Sequence, residues 1–233
     1  MSRITKAITK NGILVLPSII AADLTAAGQI VGGMDTDVID LIHLDVMDGH
    51  FVPNLTFGHG YIRNLLMHTQ VPLDAHLMIE PPENSISSYL ELDIWGVTIH
   101  YEATRFPARL LAKIRDAGKN AGLAVNPATP IESIFDLIFY ADKVLIMSVD
   151  PGFYGQPFMK ESLKRIEKLA AFALKEGYKD LLVQVDGGIN EDNIRDVVSS
   201  GARLIVAGGA VFRDGNINDN VASLKATAIR TEP

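Results

Sequence analysis

Lys143-Val144-Leu145-Ile146-Met147-Ser148, the turn Pro151-Gly152-Phe153-Tyr154-Gly155-Gln156, an amphipathic stretch at 159–176, and Leu181-Leu182-Val183-Gln184-Val185-Asp186 read as strand, loop, helix and strand. Short apolar runs bounded by turn residues are strands, and a helix between two of them makes a parallel βαβ unit. The rhythm continues outward in both directions. Further strands are predicted at Ile13–Ser18, Val38–Asp45, Leu73–Leu77, Val97–His100, Leu123–Asn126 and Leu204–Ala207, eight with the first two. Helices are predicted near 23–32, 59–68, 83–92, 105–118, 131–139, 190–199 and 217–228, besides 159–176. Asp23 before Leu24, Asn190 with Asn193, and Pro130 with Glu132 and Asp136 supply start signals. Gly118, Gly177 and Gly201 stand where helices should stop. Eight units without an interrupting linker favour an α/β fold of the closed (β/α)8, or TIM-barrel, kind over a doubly wound open sheet.

The bulk numbers fit one such domain across residues 1–233, since this barrel takes about 250 residues. The 48% apolar share is ordinary for a large core. Absence of cysteine excludes disulfides and thiolate metal sites and suits a reducing cytosol. The first residues lack the features of a signal peptide, and no run approaches a membrane span of about 18 apolar residues. A net charge of −7 without a basic run argues against nucleic acid as a partner. It also means that an anionic substrate must be held by local groups, because the overall field repels it.

Barrel chemistry sits at the C-terminal ends of the strands. In Ile42-His43-Leu44-Asp45-Val46-Met47-Asp48-Gly49, the two-residue period puts His43, Asp45 and Met47 on one face and Leu44 and Val46 on the other. His43 and Asp45 then stand about 6–7 Å apart at Cα. The third strand presents His76 and Met78 together, and the seventh ends at Asp186. Two imidazoles and two carboxylates suit one divalent ion, Zn²⁺, Fe²⁺, Mn²⁺ or Co²⁺. The same residues also suit hydrogen-bonded histidines at strand ends and Asp-Gly turns, and spacing alone does not assemble them. His100 and Glu102 face one way after the fourth strand, either backing the cluster or capping the rim. His50, His59 and His68 read as surface residues.

Glycine recurs after strands six, seven and eight: Gly152 and Gly155, Gly187 and Gly188, and Gly208 and Gly209. These either form tight turns or bring backbone N–H groups up to a phosphate, which such barrels bind after strands seven and eight. No Lys or Arg lies inside the three segments, so backbone amides would answer the problem set by the acidic charge.

Together these segments resemble the ribulose-phosphate 3-epimerase family. The motifs are Leu16-Pro17-Ser18-Ile19-Ile20-Ala21-Ala22-Asp23-Leu24, His43 through Asn54, Asp74-Ala75-His76-Leu77-Met78, Asn126-Pro127-Ala128-Thr129-Pro130, Met147 through Phe153, and Val185 through Asn190. They run in order over nearly the whole chain, and the second-strand motif alone is highly specific. The resemblance implies a barrel of the ribulose-phosphate-binding type that epimerises D-ribulose 5-phosphate to D-xylulose 5-phosphate in the pentose phosphate pathway. It implies a divalent metal held by His43, Asp45, His76 and Asp186, stabilising an enediolate while Asp45 and Asp186 exchange protons. It further implies substrate contacts from Ser18, His76, Gly152, Phe153, Tyr154, Gly155, Gly187, Gly188, Gly208 and Gly209, and a lining of Met47, Met78 and Met147. A cytoplasmic homo-oligomer, dimer or hexamer, is the family expectation, with no membrane partner.

Three departures stand out. The family usually has Asn at Asp150, Gly at Tyr154 and Ser at Gly209. Asp150 before Pro-Gly-Phe is similar to the D-allulose-6-phosphate 3-epimerases, which leaves a six-carbon substrate open. A hexulose-phosphate-synthase-like lyase and a non-catalytic sugar-phosphate-binding barrel are more distant alternatives. Residues 1–12 extend beyond the usual family start and read as a peripheral arm.

Overall fold

The computed structural model describes residues 12–229, so the predicted arm, Gly12 excepted, lies outside the described residues. The strands are β1 (Leu14–Pro17), β2 (Ile42–Met47), β3 (Leu73–Met78), β4 (Gly96–His100), β5 (Asn120–Val125), β6 (Lys143–Met147), β7 (Leu182–Asp186) and β8 (Leu204–Ala207). All are parallel, in the order β1-β8-β7-β6-β5-β4-β3-β2. A parallel bridge between Ser18, just past β1, and His43 of β2 completes the ring. The result is the (β/α)8 barrel expected from the strand–helix rhythm.

Its helices are α1 (Ala27–Gly32), α2 (His59–Leu65), α3 (Ile86–Leu90), α4 (Pro107–Asp116), α5 (Ser162–Lys175), α6 (Ile194–Ser199), α7 (Gly209–Phe212) and α8 (Ile217–Ile229). The Asp23 side chain accepts the Thr25 N–H at 2.9 Å and starts a 3-10 turn, Leu24–Ala26, that leads into α1. Gly118 and Gly177 follow α4 and α5 with φ of 74° and 84°, a region costly to other residues.

Several boundaries differ from the sequence reading. The run Val38–Leu41 is not strand, because the amides of Val38 and Ile39 bond back to the Asp35 carbonyl in a turn. Its apolar side chains pack into the core as loop residues. The fifth strand lies earlier, at Asn120–Val125, leaving Asn126 in the loop. The segment Ile131–Tyr140 is 3-10 rather than α-helical. Over ten residues the apolar spacing does not separate a period of 3.0 from 3.6.

Strand alternation divides the core in two. Ile42, Leu44 and Val46 of β2, and Leu73, Ala75 and Leu77 of β3, face outward into one apolar layer beneath the helices. Inside the ring, Leu14, Leu16, Leu41, Leu204 and Val206, with Trp95 and Leu182, form a second apolar group. Beside it the interior is polar: Asp74, Thr98, Lys143 and Gln184 are fully buried. The Lys143 ammonium donates to Asp74 Oδ2 and, at 3.1 Å, to Gln184 Oε1, and stands 5.1 Å above the Trp95 ring. Gly122 makes room for this lysine, since a Cβ there would stand 2.2 Å from Thr98 Oγ1 and 2.9 Å from Lys143 Cε. This polar floor lies directly beneath the site.

Candidate active site

Four side chains from β2, β3 and β7 meet above that floor. His43, Asp45, His76 and Asp186 each bring one ligand-type atom within 4.8 Å of all the others. His43 Nε2 lies 3.3 Å from Asp45 Oδ1 and 3.4 Å from His76 Nδ1, and His76 Nδ1 lies 3.0 Å from Asp45 Oδ1. An ion bound at about 2.1 Å sets neighbouring ligand atoms about 3.0–3.4 Å apart in octahedral or tetrahedral arrangements. The donor set therefore fits a divalent cation in spacing as well as in chemistry.

Electrostatics points the same way. Burial depresses the His43 imidazole, but the adjacent Asp45 carboxylate outweighs it and raises the pKa to about 10. Burial works against ionised Asp45, yet His43 and His76 hold it well below the usual carboxylate range. Asp186, pushed up first by burial and then by the Asp45 charge, reaches about 7. His76 is lowered to about 3 by burial, against a hydrogen bond to the Asp45 carboxylate that raises it. Protons thus supply the positive charge that buried Asp45 and half-buried Asp186 demand, which is the role a cation fills. The two carboxyl groups are also driven apart in acidity, the pattern of an acid–base pair.

The cluster's surroundings hold its members in place. Ser18 Oγ donates to Asp45 Oδ2 at 2.5 Å. Behind His43, Gln184 Nε2 and Asp74 Oδ2 lie 3.4 and 3.6 Å from Nδ1. Behind His76 stands His100 and beyond it Glu102, which backs His100 with one carboxylate oxygen and accepts from the loop after β5 with the other. Burial opposes ionised Glu102, but hydrogen bonds from His100, the Thr129 hydroxyl and the Asn126 N–H hold it below its ordinary range. His50, His59 and His68 are exposed, away from the cluster.

Asp45 and Asp186 open onto a cavity of ≈ 720 Å³. Every residue predicted to contact substrate, except the buried His76, lines it: Ser18, the Gly152–Gly155 loop, Gly187, Gly188, Gly208 and Gly209. Met47, Met78 and Met147 line it too and are almost fully buried. Gly188 has φ 64°, and a Cβ there would meet Phe158 N at 2.5 Å, so only glycine lets these two loops close on each other. Phe153 and Tyr154 are 56% and 66% exposed, placing two large rings at the mouth. Asn54 Nδ2 donates to the Gly152 carbonyl at 3.1 Å, tying the loop after β2 to the loop after β6. Lys160 and Arg213 also line the cavity, and sequence reasoning missed both. They lie just beyond the glycine segments, Arg213 three residues past Ala210, where a wider window would have found them.

A (β/α)8 barrel with a mixed nitrogen/oxygen cluster beneath a glycine-walled cavity at the strand ends has the architecture of a barrel enzyme, whose active sites lie at that face. The profile of the ribulose-phosphate 3 epimerase family matches residues 14–212, and the chain belongs to that family. It is 40% identical over 218 residues to the ribulose-phosphate 3-epimerase of Mycobacterium bovis, covering 94% of each chain. It is 38% identical over 215 residues to that of Bacillus subtilis, covering 92% of this chain and 99% of the relative. Among solved structures, a mutant tryptophan synthase α-subunit from Pyrococcus furiosus matches with TM-score 0.65 and 15% identity, covering 93% of this chain and 98% of that one. A 3-hexulose-6-phosphate synthase matches with TM-score 0.60 and 16% identity, covering 92% and 97%. These two share the fold. Among the described residues no helix is long and apolar enough to cross a membrane.

Proposed function

We propose that the protein epimerises a ketose phosphate at C3, converting D-ribulose 5-phosphate to D-xylulose 5-phosphate, with a divalent ion held by His43, Asp45, His76 and Asp186. One observation carries this reading: four ligand atoms from three strands lie within 4.8 Å of one another, and the two carboxylates among them line a glycine-walled cavity. Zn²⁺, Fe²⁺, Mn²⁺ and Co²⁺ all suit such a donor set. When bound, the ion supplies Lewis-acid stabilisation of the negative charge that develops on the substrate's carbonyl oxygen.

The protein's own groups do the rest. Asp45 on β2 and Asp186 on β7 approach the cavity from separate strands, so they address opposite faces of C3. One takes the C3 proton and the other delivers a proton to the far face, the roles exchanging with reaction direction. Ser18 fixes Asp45 through Oδ2. Backbone N–H groups of the Gly187–Gly188 and Gly208–Gly209 segments hold the phosphate against the protein's net negative charge. Met47, Met78 and Met147 keep water from the reacting carbon.

The test is turnover of ribulose 5-phosphate in D2O by the parent and by Asp186→Asn. The parent should place deuterium at C3 of the product, and the variant should fold normally while losing at least ~100-fold in kcat. Epimerisation without solvent label, or near-normal turnover by the variant, removes the two-carboxylate route. A six-carbon reading has one observation in its favour, Asp150 before Pro151-Gly152-Phe153. Comparing kcat/KM on ribulose 5-phosphate and allulose 6-phosphate decides between them.

A further inference from the structure

His100 and Glu102 move no proton in that scheme, yet they form a continuous line of polar atoms leading away from His76. His76 Nε2 lies 2.7 Å from His100 Nε2, and His100 Nδ1 lies 3.4 Å from Glu102 Oε2. The other carboxylate oxygen, Oε1, accepts the Asn126 N–H at 2.8 Å and the Thr129 hydroxyl at 2.5 Å. Arg165 holds the same loop by the Asn126 carbonyl at 2.8 Å. The Phe51 ring packs 4.7 Å from the His100 ring. Every member of the line is fixed from outside the cluster.

Donor and acceptor roles then follow in sequence. A carboxylate only accepts, so neutral His100 carries its proton on Nδ1 and offers a lone pair at Nε2. Of two ring nitrogens 2.7 Å apart, one must donate. With His100 accepting, the donor is His76 Nε2. Neutral His76 has one ring N–H, so its Nδ1 is left with a free lone pair, and Nδ1 is the atom that faces Asp45 Oδ1 and His43 Nε2. The Asp45 carboxylate, 3.0 Å away, pulls the other way and favours a proton on Nδ1. Two carboxylates therefore compete for the tautomer of one imidazole, Asp45 directly and Glu102 through a second ring.

We propose that Glu102, acting through His100, sets the tautomer of His76 and aims its Nδ1 lone pair at the metal position. Both are positioning residues, and the inference rests on the metal reading above. A rim-capping role accounts for the Asn126 and Thr129 contacts but not for the direct contact between two buried imidazoles. Second-sphere partners of metal-binding histidines act in this manner.

Glu102→Gln is the sharp test. Asn126 N–H and Thr129 Oγ keep the amide oxygen at the Oε1 position, which turns the amide NH2 toward His100. His100 then becomes an acceptor at Nδ1 and a donor at Nε2, and the His76 proton moves to Nδ1, where it blocks ligation. The expected result is a Zn²⁺ dissociation constant raised about 10- to 100-fold in chelator competition, with an unchanged far-UV spectrum. Histidine ¹⁵N spectra of the Zn²⁺-loaded parent form the second measurement and need no variant. They should place the His100 proton on Nδ1 and the His76 proton on Nε2, and a His100 proton on Nε2 overturns the proposal. If the parent binds one Zn²⁺ that His76→Ala abolishes while Glu102→Gln binds as tightly as the parent, the relay fails and the metal site stands. A parent that binds no Zn²⁺ overturns both.

Discussion

Gly209 opens α7, and a Cβ added there meets no atom within 4 Å. A hydroxyl at this position therefore has room beside the amides proposed to hold the phosphate. Gly209→Ser should lower the KM for ribulose 5-phosphate about 2- to 10-fold, the reach of one added hydrogen bond, and steady-state kinetics should find kcat little changed. Lys143 is the opposite case, a position with no slack. Its ammonium is fully buried between Asp74 and Gln184. Lys143→Met takes the ammonium from the buried Asp74 carboxylate, leaving it the longer Gln184 and His43 contacts, and should cost about 3–5 kcal/mol in urea unfolding. Lys143→Met with Asp74→Asn should recover much of that loss, because the stranded charge is gone. Strand alternation set His43 and Asp45 apart from Leu44 and Val46 in the sequence, but only the family resemblance joined them to His76 and Asp186. Lys143 was not legible. A lysine at the first position of a strand reads as a solvated end, and only the closed ring, with Gly122 beside it, turns it inward.

Elements carry the site by their ends. Asp48, one residue past β2, accepts the amides of His50 and Phe51 through Oδ1 and that of Glu80, beyond β3, through Oδ2. One carboxylate thus ties together the loops that follow two of the cluster's strands. Slight burial raises its pKa, and the three backbone donors lower it further than burial raises it. A carboxyl depressed in the folded state stabilises above its unfolded value, near pH 4, and loses that contribution as pH falls through the lower folded value. Asp48→Ala should therefore be less stable than the parent by about 1 kcal/mol at pH 7, after allowance for solvent screening. The gap should close as pH falls below about 4 in denaturant titrations. At this scale the sequence was a good guide to the existence of elements and a weaker guide to their limits. Val38 and Ile39 carry strand-like side chains but spend their amides on a turn. The four-residue α7 is too short to leave a periodic pattern.

Over the whole molecule, the net charge of −7 repels the phosphorylated substrate proposed above. Backbone amides of glycine loops are the proposed local answer, and the cavity lining adds Lys160 and Arg213, the latter already paired with Glu191. The barrel itself was readable because eight βα units in unbroken series leave few other parallel arrangements. Its point of closure was not readable. Seven of the eight strand junctions are ladders, whereas β1 and β2 meet through the single Ser18–His43 bridge. The Ser18 side chain also reaches Asp45, so the clasp of the hoop is made by residues whose side chains belong to the cluster or hold it. A ligand that drew these side chains together would therefore also bear on the weakest seam of the ring.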